Sequence, residues 1–366
     1  MKNCFNNIYE GKRVLITGHT GFKGSWLAIW LKLLGAEVAG IALESEQELG
    51  NFKVTKLDSK INSNILNIID FQALYNFIVD FKPDIIFHLA AQSLVGKSYE
   101  EPKLTFDTNI VGTLNVLESI RNYQAVKACV LITSDKCYRN VEQIWGYRER
   151  DILGGDDPYS ASKAGAELAI NSYIKSFFNS GNSPLIASTR AGNVIGGGDW
   201  SENRLIPDCI RHLTKNEPVI IRNPSSTRPW QLVLEPLSGY LLLGQKLLEN
   251  ERDLTEGWNF GPRMEECHTV LDVVKQIIKI WGSGEILVTN DEQAFLESKL
   301  LQLDCTKARI NLGWNQTMNT KESLDYTVNW YKHFNRDHEI DMFDFCVGQI
   351  QNYQKLAFQR EIGWAQ

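Results

Sequence analysis

An α/β fold, with a doubly wound parallel sheet and a smaller mixed α/β lobe, is predicted by three features of the sequence. Short apolar runs alternate with helical stretches through the first half of the chain. A glycine-rich turn joins the first run to the first helix. After about Arg190 the alternation gives way to a stretch punctuated by Pro207, Pro218, Pro224 and Pro229.

The elements follow in order. Val14-Leu15-Ile16, between Lys12-Arg13 and the turn, reads as a buried parallel strand. Leu27, Trp30, Leu31 and Leu34 then recur at helical spacing, and Gly35 stands where a helix C-cap belongs. Residues 37–43 form a second strand, and Asn64-Ile65 follows a third. Residues 71–81 read as a helix, and Pro83 marks the turn before a strand over 84–89. Residues 109–121 are helical; Val130-Leu131-Ile132 and Leu185-Ile186-Ala187 are further strands. Residues 196–200 are a loop, and a helix over 230–250 with a strand at Trp258-Asn259-Phe260-Gly261 returns to the first lobe.

Composition bounds the function. With 366 residues the chain exceeds the ~150 typical of one domain, so two lobes are expected. Hydrophobic residues make up 43%, enough for a sizeable core. The net charge of −6 argues against a nucleic-acid partner, which needs a basic face. No apolar run approaches the ~20 residues of a membrane span, and the first ten residues do not resemble a signal peptide. Seven scattered cysteines without a CxxC pair point to reduced thiols in a cytoplasmic protein, and no metal-ligand spacing stands out.

The turn is Thr17-Gly18-His19-Thr20-Gly21-Phe22-Lys23-Gly24. Its glycines permit positive φ and let the backbone approach a pyrophosphate, while the following helix N-terminus offers N–H donors to the anion. Gly18, His19, Gly21, Phe22, Lys23 and Gly24 are therefore candidate dinucleotide-binding residues, and the first lobe is of Rossmann type. The spacing GxxGxxG points to the short-chain dehydrogenase/reductase type. Glu44, at the end of the second strand, offers a carboxylate to a ribose diol, with a solvated loop carboxylate as the alternative. No arginine stands there for a 2′-phosphate, which favours NAD over NADP. Asn64 and Ile65 are candidates for the adenine. Leu89, Ala90 and Ala91 line the nicotinamide pocket through backbone groups, and His88 reads as a structural residue.

The chemistry gathers in two places. Ser134-Asp135-Lys136 offers a hydroxyl, a carboxyl and an amine. Tyr159 and Lys163 are spaced i, i+4 and share one face of a helix. A phenol beside an ammonium loses its proton more easily, which makes Tyr159 a base for oxidising an alcohol. The duller alternatives are a turn-capping Ser134 and Asp135, an interfacial Tyr159 and a solvated Lys163.

With these motifs assembled, the chain resembles the extended short-chain dehydrogenase/reductase family, in its branch of nucleotide-sugar 4,6-dehydratases that act on CDP-glucose. The match is carried by the glycine turn with Ser25-Trp26-Leu27, by His88-Leu89-Ala90-Ala91-Gln92, by Ser134-Asp135-Lys136, by residues 190–200 and by Arg228-Pro229-Trp230-Gln231. It runs from about Gly11 to Gly261 and beyond. The resemblance implies a tightly held NAD, reduced and reoxidised within one turnover, a substrate that is CDP-glucose or a similar nucleotide sugar, a place in deoxysugar biosynthesis, and a homodimer or homotetramer. It implies these roles: Tyr159 removes the C4 hydroxyl proton, Lys163 lowers the phenol pKa, Ser134 orients the hydroxyl, and Asp135, raised in pKa by burial, protonates the departing C6 hydroxyl. Lys136 stands where dTDP-glucose relatives carry a glutamate base. It must be neutral, act through water, or stabilise the enolate as a cation.

Gln92, Asn193, Arg204, Arg228 and Arg263 are candidates for the nucleotide sugar, with Arg228 best suited to a forked anion. Residues 1–190, with return segments in 229–262, are assigned to the dinucleotide-binding domain; 191–228 and 263–366 form the nucleotide-sugar lobe. A 4-epimerase or another nucleotide-sugar dehydratase is the alternative reading, and a non-catalytic dinucleotide-binding protein is the third.

Overall fold

Seven parallel strands build the central sheet: β1 (Arg13–Thr17), β2 (Glu37–Ala42), β3 (Asn62–Ile65), β4 (Ile85–His88), β5 (Ala128–Ile132), β6 (Leu185–Arg190) and β7 (Gly257–Asn259). Their order is β7-β6-β5-β4-β1-β2-β3. The computed structural model describes residues 4–289, 300–336 and 341–366. Successive β-strand side chains point to opposite faces, so one run of Val14, Leu15 and Ile16 serves two cores. Val14 and Ile16 enter the larger apolar cluster, with Trp26, Trp30, Leu237 and Leu241. Leu15 enters a second cluster on the other face, with Ile78, Val116, Leu117 and Ile170. Burial on both faces explains why these strands read as continuous apolar runs.

The first cluster includes α1 (Phe22–Leu33) and α6 (Leu234–Leu248); the second includes α2 (Phe71–Phe81), α3 (Gly112–Asn122) and α4 (Pro158–Phe177). The α2 bounds match the expected helix. Asp70 accepts from Ala73 N at its start, and Lys82 in the left-handed region ends it. Gly35 has φ +84°, as a residue just past a helix end requires. The third strand differs from expectation. Asn64 and Ile65 lie inside it, not after it, because the polar run Asn62-Ser63-Asn64 pairs with β2 through Ala42↔Ile65.

Beyond Arg190 lie α5 (Leu205–Thr214), α7 (Val270–Trp281) and α8 (Thr320–Arg336). They are joined by short strand pairs such as Val219–Ile221 with Ile286–Val288. The chain then returns. Helix α6 packs on β5 and β6, and β7 pairs with β6 through Trp258↔Thr189. The last helix, α9 (Met342–Gln359), falls within the range assigned to the smaller lobe but packs on α1. Trp30 meets Tyr353 and Trp364 edge-on at centroid distances of 5.7 and 5.9 Å, and Phe5 stacks on Trp364 at 4.9 Å. This second cover explains why α1 is buried from Gly24 to Leu31 all round, beyond the single stripe its spacing suggests.

Among the described residues no helix is long and apolar enough to cross a membrane, and no group of three or more His, Cys, Asp or Glu is placed to hold a metal ion. None of the seven cysteines is paired in a disulfide.

Candidate active site

Parallel strands end on the same edge of the sheet, and the order reverses between β1 and β4; a crevice opens there. The glycine turn follows β1 at this point. Gly18 has φ +79°, and a Cβ on it would lie 2.7 Å from Ala90 N. A Cβ on Gly24 would lie 2.1 Å from Gly18 O. Both positions therefore require glycine, and the turn presses against the end of β4. Gly21 caps α1 with no side-chain hydrogen bond, which leaves the first-turn N–H groups of Phe22, Lys23 and Gly24 open to an anion. This cradle fits the pyrophosphate of a dinucleotide.

His19 contributes backbone only. Its ring is fully buried, bonds Ser63 Oγ at 2.7 Å and lies over Gly40, where a Cβ would come within 2.2 Å of it. Burial lowers its pKa to about 4. Lys23 points the other way. Burial first, then Arg204, lowers its ammonium to about 8; Asp135 opposes this and Lys163 adds to it. The lysine of the glycine turn thus lies within electrostatic reach of the expected catalytic groups. Glu44, just beyond β2, and Ile65, at the end of β3, are exposed and Asn64 beside it is half-buried, while Leu89, Ala90 and Ala91 are half-buried after β4. His88 is a structural residue, bonded to Thr17 Oγ1 at 2.7 Å and Thr113 Oγ1 at 3.1 Å.

The end of β5 presents Ser134 and Asp135, both buried. Ser134 Oγ donates to Asp135 Oδ1 at 2.9 Å and accepts from Lys136 N at 3.2 Å, capping the short helical turn Asp135–Cys137. Helix α4 brings Tyr159 and Lys163 to the same place. Asp157 starts it, accepting from Ser160 N at 2.9 Å, with Pro158 in the first turn. Tyr159 and Lys163 are 7% and 5% exposed, and Lys163 Nζ lies 6.0 Å from the Tyr159 ring centroid.

Burial dominates the electrostatics of Tyr159. Burial pushes the phenol up to about 12, against a downward pull from the Ser134 hydrogen bond; Asp135 raises it and Arg204 lowers it. Lys163 is lowered to about 8 by burial, opposed by Glu167 and Cys137. Both groups are enclosed, and desolvation is the largest influence on each. The cation that pulls on Tyr159 is Arg204, which also bonds Asp199 at 2.8 Å.

Of the other candidates, Gln92 is turned inward. Its amide donates to Leu94 O and Thr105 Oγ1 and accepts from Leu94 N, so its side chain is engaged within the protein and not directed to a ligand. Arg228 donates to Thr227 O at 2.8 Å, and Asn193 adopts φ +48° after β6. Arg263 is exposed and lines a cleft with Asp135, Gly192, Pro229, Pro262 and Leu303. Sequence reasoning missed Gly192. A Cβ there would lie 1.9 Å from Asp135 Oδ2, so the carboxylate rests on the glycine. It also missed Glu167, although Tyr159, Lys163 and Glu167 repeat at i, i+4. Residues 301–303 carry no signal, since they reach the cleft from a distant segment.

Comparison with known proteins agrees with this geometry. The GDP-mannose 4,6 dehydratase family matches residues 15–327. The CDP-glucose 4,6-dehydratase of Salmonella typhimurium is 48% identical over 96% of this chain and 98% of its own length. Among solved structures, the Thermotoga maritima UDP-glucose 4-epimerase with UDP-glucose superposes with a TM-score of 0.75 at 24% identity, over 88% of this chain and 99% of that one. The Bacillus anthracis dTDP-glucose 4,6-dehydratase in complex with NAD gives 0.73 at 22% identity, over 88% and 97%. The fold, the glycine cradle and the convergence of Ser134-Asp135 with Tyr159 and Lys163 agree with the sequence match: the chain belongs to the GDP-mannose 4,6-dehydratase family of extended short-chain dehydrogenases/reductases.

Proposed function

We propose that the protein is an NAD-dependent CDP-glucose 4,6-dehydratase, converting CDP-glucose to CDP-4-keto-6-deoxyglucose. The similarity to the Salmonella typhimurium enzyme supports the substrate, and the NAD complex of the Bacillus anthracis relative supports the cofactor. The observation that carries the reading is the buried Asp135 carboxylate beside Ser134, at the site where Tyr159 converges. A 4-epimerase needs no acid for a departing C6 hydroxyl.

Gly18, Gly21, Phe22, Lys23 and Gly24 would hold the pyrophosphate, Glu44 the adenosine ribose, and the backbone at Leu89, Ala90 and Ala91 the nicotinamide end. NAD held there would supply the hydride acceptor for the sugar C4 and, once reduced, the hydride donor for C6. Tyr159 removes the C4 hydroxyl proton, and Ser134 Oγ orients that hydroxyl. The resulting C4 ketone acidifies the C5 proton. Asp135 gives a proton to the departing C6 hydroxyl. Lys136 serves the C5 step, as base when neutral or as the enolate's counter-ion when charged. Arg204 adds positive potential at Tyr159, and Arg228, Arg263 and Asn193 flank the nucleotide end. We assign this nucleotide-sugar role to 191–228 with the first part of 263–366. The exposed Leu104, Val111 and Leu168 support self-association as a homodimer or homotetramer. The product would enter deoxysugar biosynthesis.

The test is CDP-glucose carrying deuterium at C4, followed by NMR of the product. Deuterium at C6 of a 4-keto product is expected. Turnover to an epimer, or a product whose label has passed to solvent, would overturn the reading.

A further inference from the structure

Behind the site lies a buried ion pair for which the reaction as described has no role. Glu167 is 2% exposed and stands one turn after Lys163 on α4. Its carboxylate has three partners on two elements. Thr133 Oγ1, at the end of β5 next to Ser134, donates to Oε1 at 2.5 Å. Ser188 Oγ and Arg190 Nη2, both on β6, donate to Oε2 at 2.8 Å each. Arg190 in turn donates through Nη1 to Tyr138 OH at 2.6 Å, and Tyr138 donates to Asn259 Oδ1 on β7 at 2.8 Å.

Stability alone is a weak reason for such a pair, because well-packed apolar residues commonly serve a core as well or better. Its placement is more informative. It ties together the helix that carries Tyr159 and Lys163 and the strand end that carries Ser134 and Asp135. Facing Lys163 are Glu167 on its own helix, Cys137 from the turn after β5, His88 from β4 and Lys23 from α1. Burial keeps the Cys137 thiol protonated and lowers His88 to about 3, so Glu167 is the one anion in that group.

We propose that Glu167 is a positioning residue for the dehydration: its carboxylate fixes the register between the Tyr159–Lys163 helix and the Ser134–Asp135 strand end, and supplies the counter-charge behind Lys163. The inference rests on the dehydratase reading.

The test uses the full-length enzyme with NAD and CDP-glucose. Glu167→Gln is expected to lower kcat at least about tenfold with KM within about twofold, and to move the alkaline limb of the kcat–pH profile to lower pH as Lys163 loses its counter-charge. Glu167→Asp should recover part of both. Wild-type kcat and limb in the folded Glu167→Gln variant would overturn the proposal. So would a lower kcat with the limb unmoved, since that is a merely structural effect. Should Glu167→Gln not fold, Thr133→Val and Ser188→Ala each remove one bond and keep the charge; wild-type kcat in both overturns the register. Independently of substrate, NMR titration of the Lys163 Cε resonance should give a lower midpoint in Glu167→Gln, and an equal midpoint overturns the counter-charge. Wild-type protein that shows the expected Lys163 titration but does not turn over CDP-glucose would count against the dehydratase reading and not against this one.

Discussion

Gly192 and Asp135 set a tight constraint at the scale of single residues. The carboxylate occupies the space a side chain at 192 would need, so Gly192→Ala must push it away from Ser134. A displacement of about 1 Å in a catalytic group lowers rates by about 100-fold. The dehydration kcat of Gly192→Ala should fall on that order with thermal stability nearly kept; turnover within a few-fold of wild type would show that Asp135 tolerates the shift. Residue types at this scale were legible. Ser134, Asp135, Tyr159 and Lys163 stand out in the sequence, and they converge. Their electrostatics were not legible, because spacing on a helix reveals who neighbours whom but not how deeply they lie. Tyr159 illustrates the point: its partner on the helix matters less than its burial and Arg204, which reaches it from beyond β6.

Helix α4, which carries Tyr159 and Lys163, is capped at its start by one side chain. Asp157 accepts from both Ser160 N and Ser160 Oγ, two residues before Tyr159 takes its place. Asp157→Ala removes that N-cap, at about 1 kcal/mol. In a chain of this size the melting temperature should drop by roughly 2 °C, and kcat should fall as the first turn frays. An unchanged melting curve would mean that Pro158 and packing hold the turn without the cap. Elements with a strong period and a capping residue were readable to within a residue, as Phe71–Phe81 is. The polar β3 was misplaced because it has no apolar alternation to mark it. The two-residue strands Thr227–Arg228 and His268–Thr269 were not readable at all, since pairing between distant segments defines them.

Across the whole molecule, Glu235 joins the α6 packing layer to the C-terminal part of the chain. It accepts from Thr317 N at 2.9 Å and Met318 N at 2.7 Å. Burial raises its carboxyl from 4.5 to about 7, against the pull of those two bonds. A carboxyl raised on folding contributes stability that is whole below the unfolded value of 4.5 and is lost as pH rises through about 7. Calorimetry at about pH 5 and about pH 8 should therefore show the wild type less stable at the higher pH. Glu235→Gln should flatten that difference while losing about 1 kcal/mol with one of the two bonds. An equal pH dependence in both proteins would assign the effect to another group.

The sheet also has an order of assembly written into it. Its edge strand β7 is supplied by residues 257–259, long after β6 ends at Arg190. While the ribosome is still delivering the intervening segment, the flank of β6 offers unpaired backbone groups to any passing extended chain. A nascent polypeptide halted in that interval carries an open sheet edge that the finished protein covers.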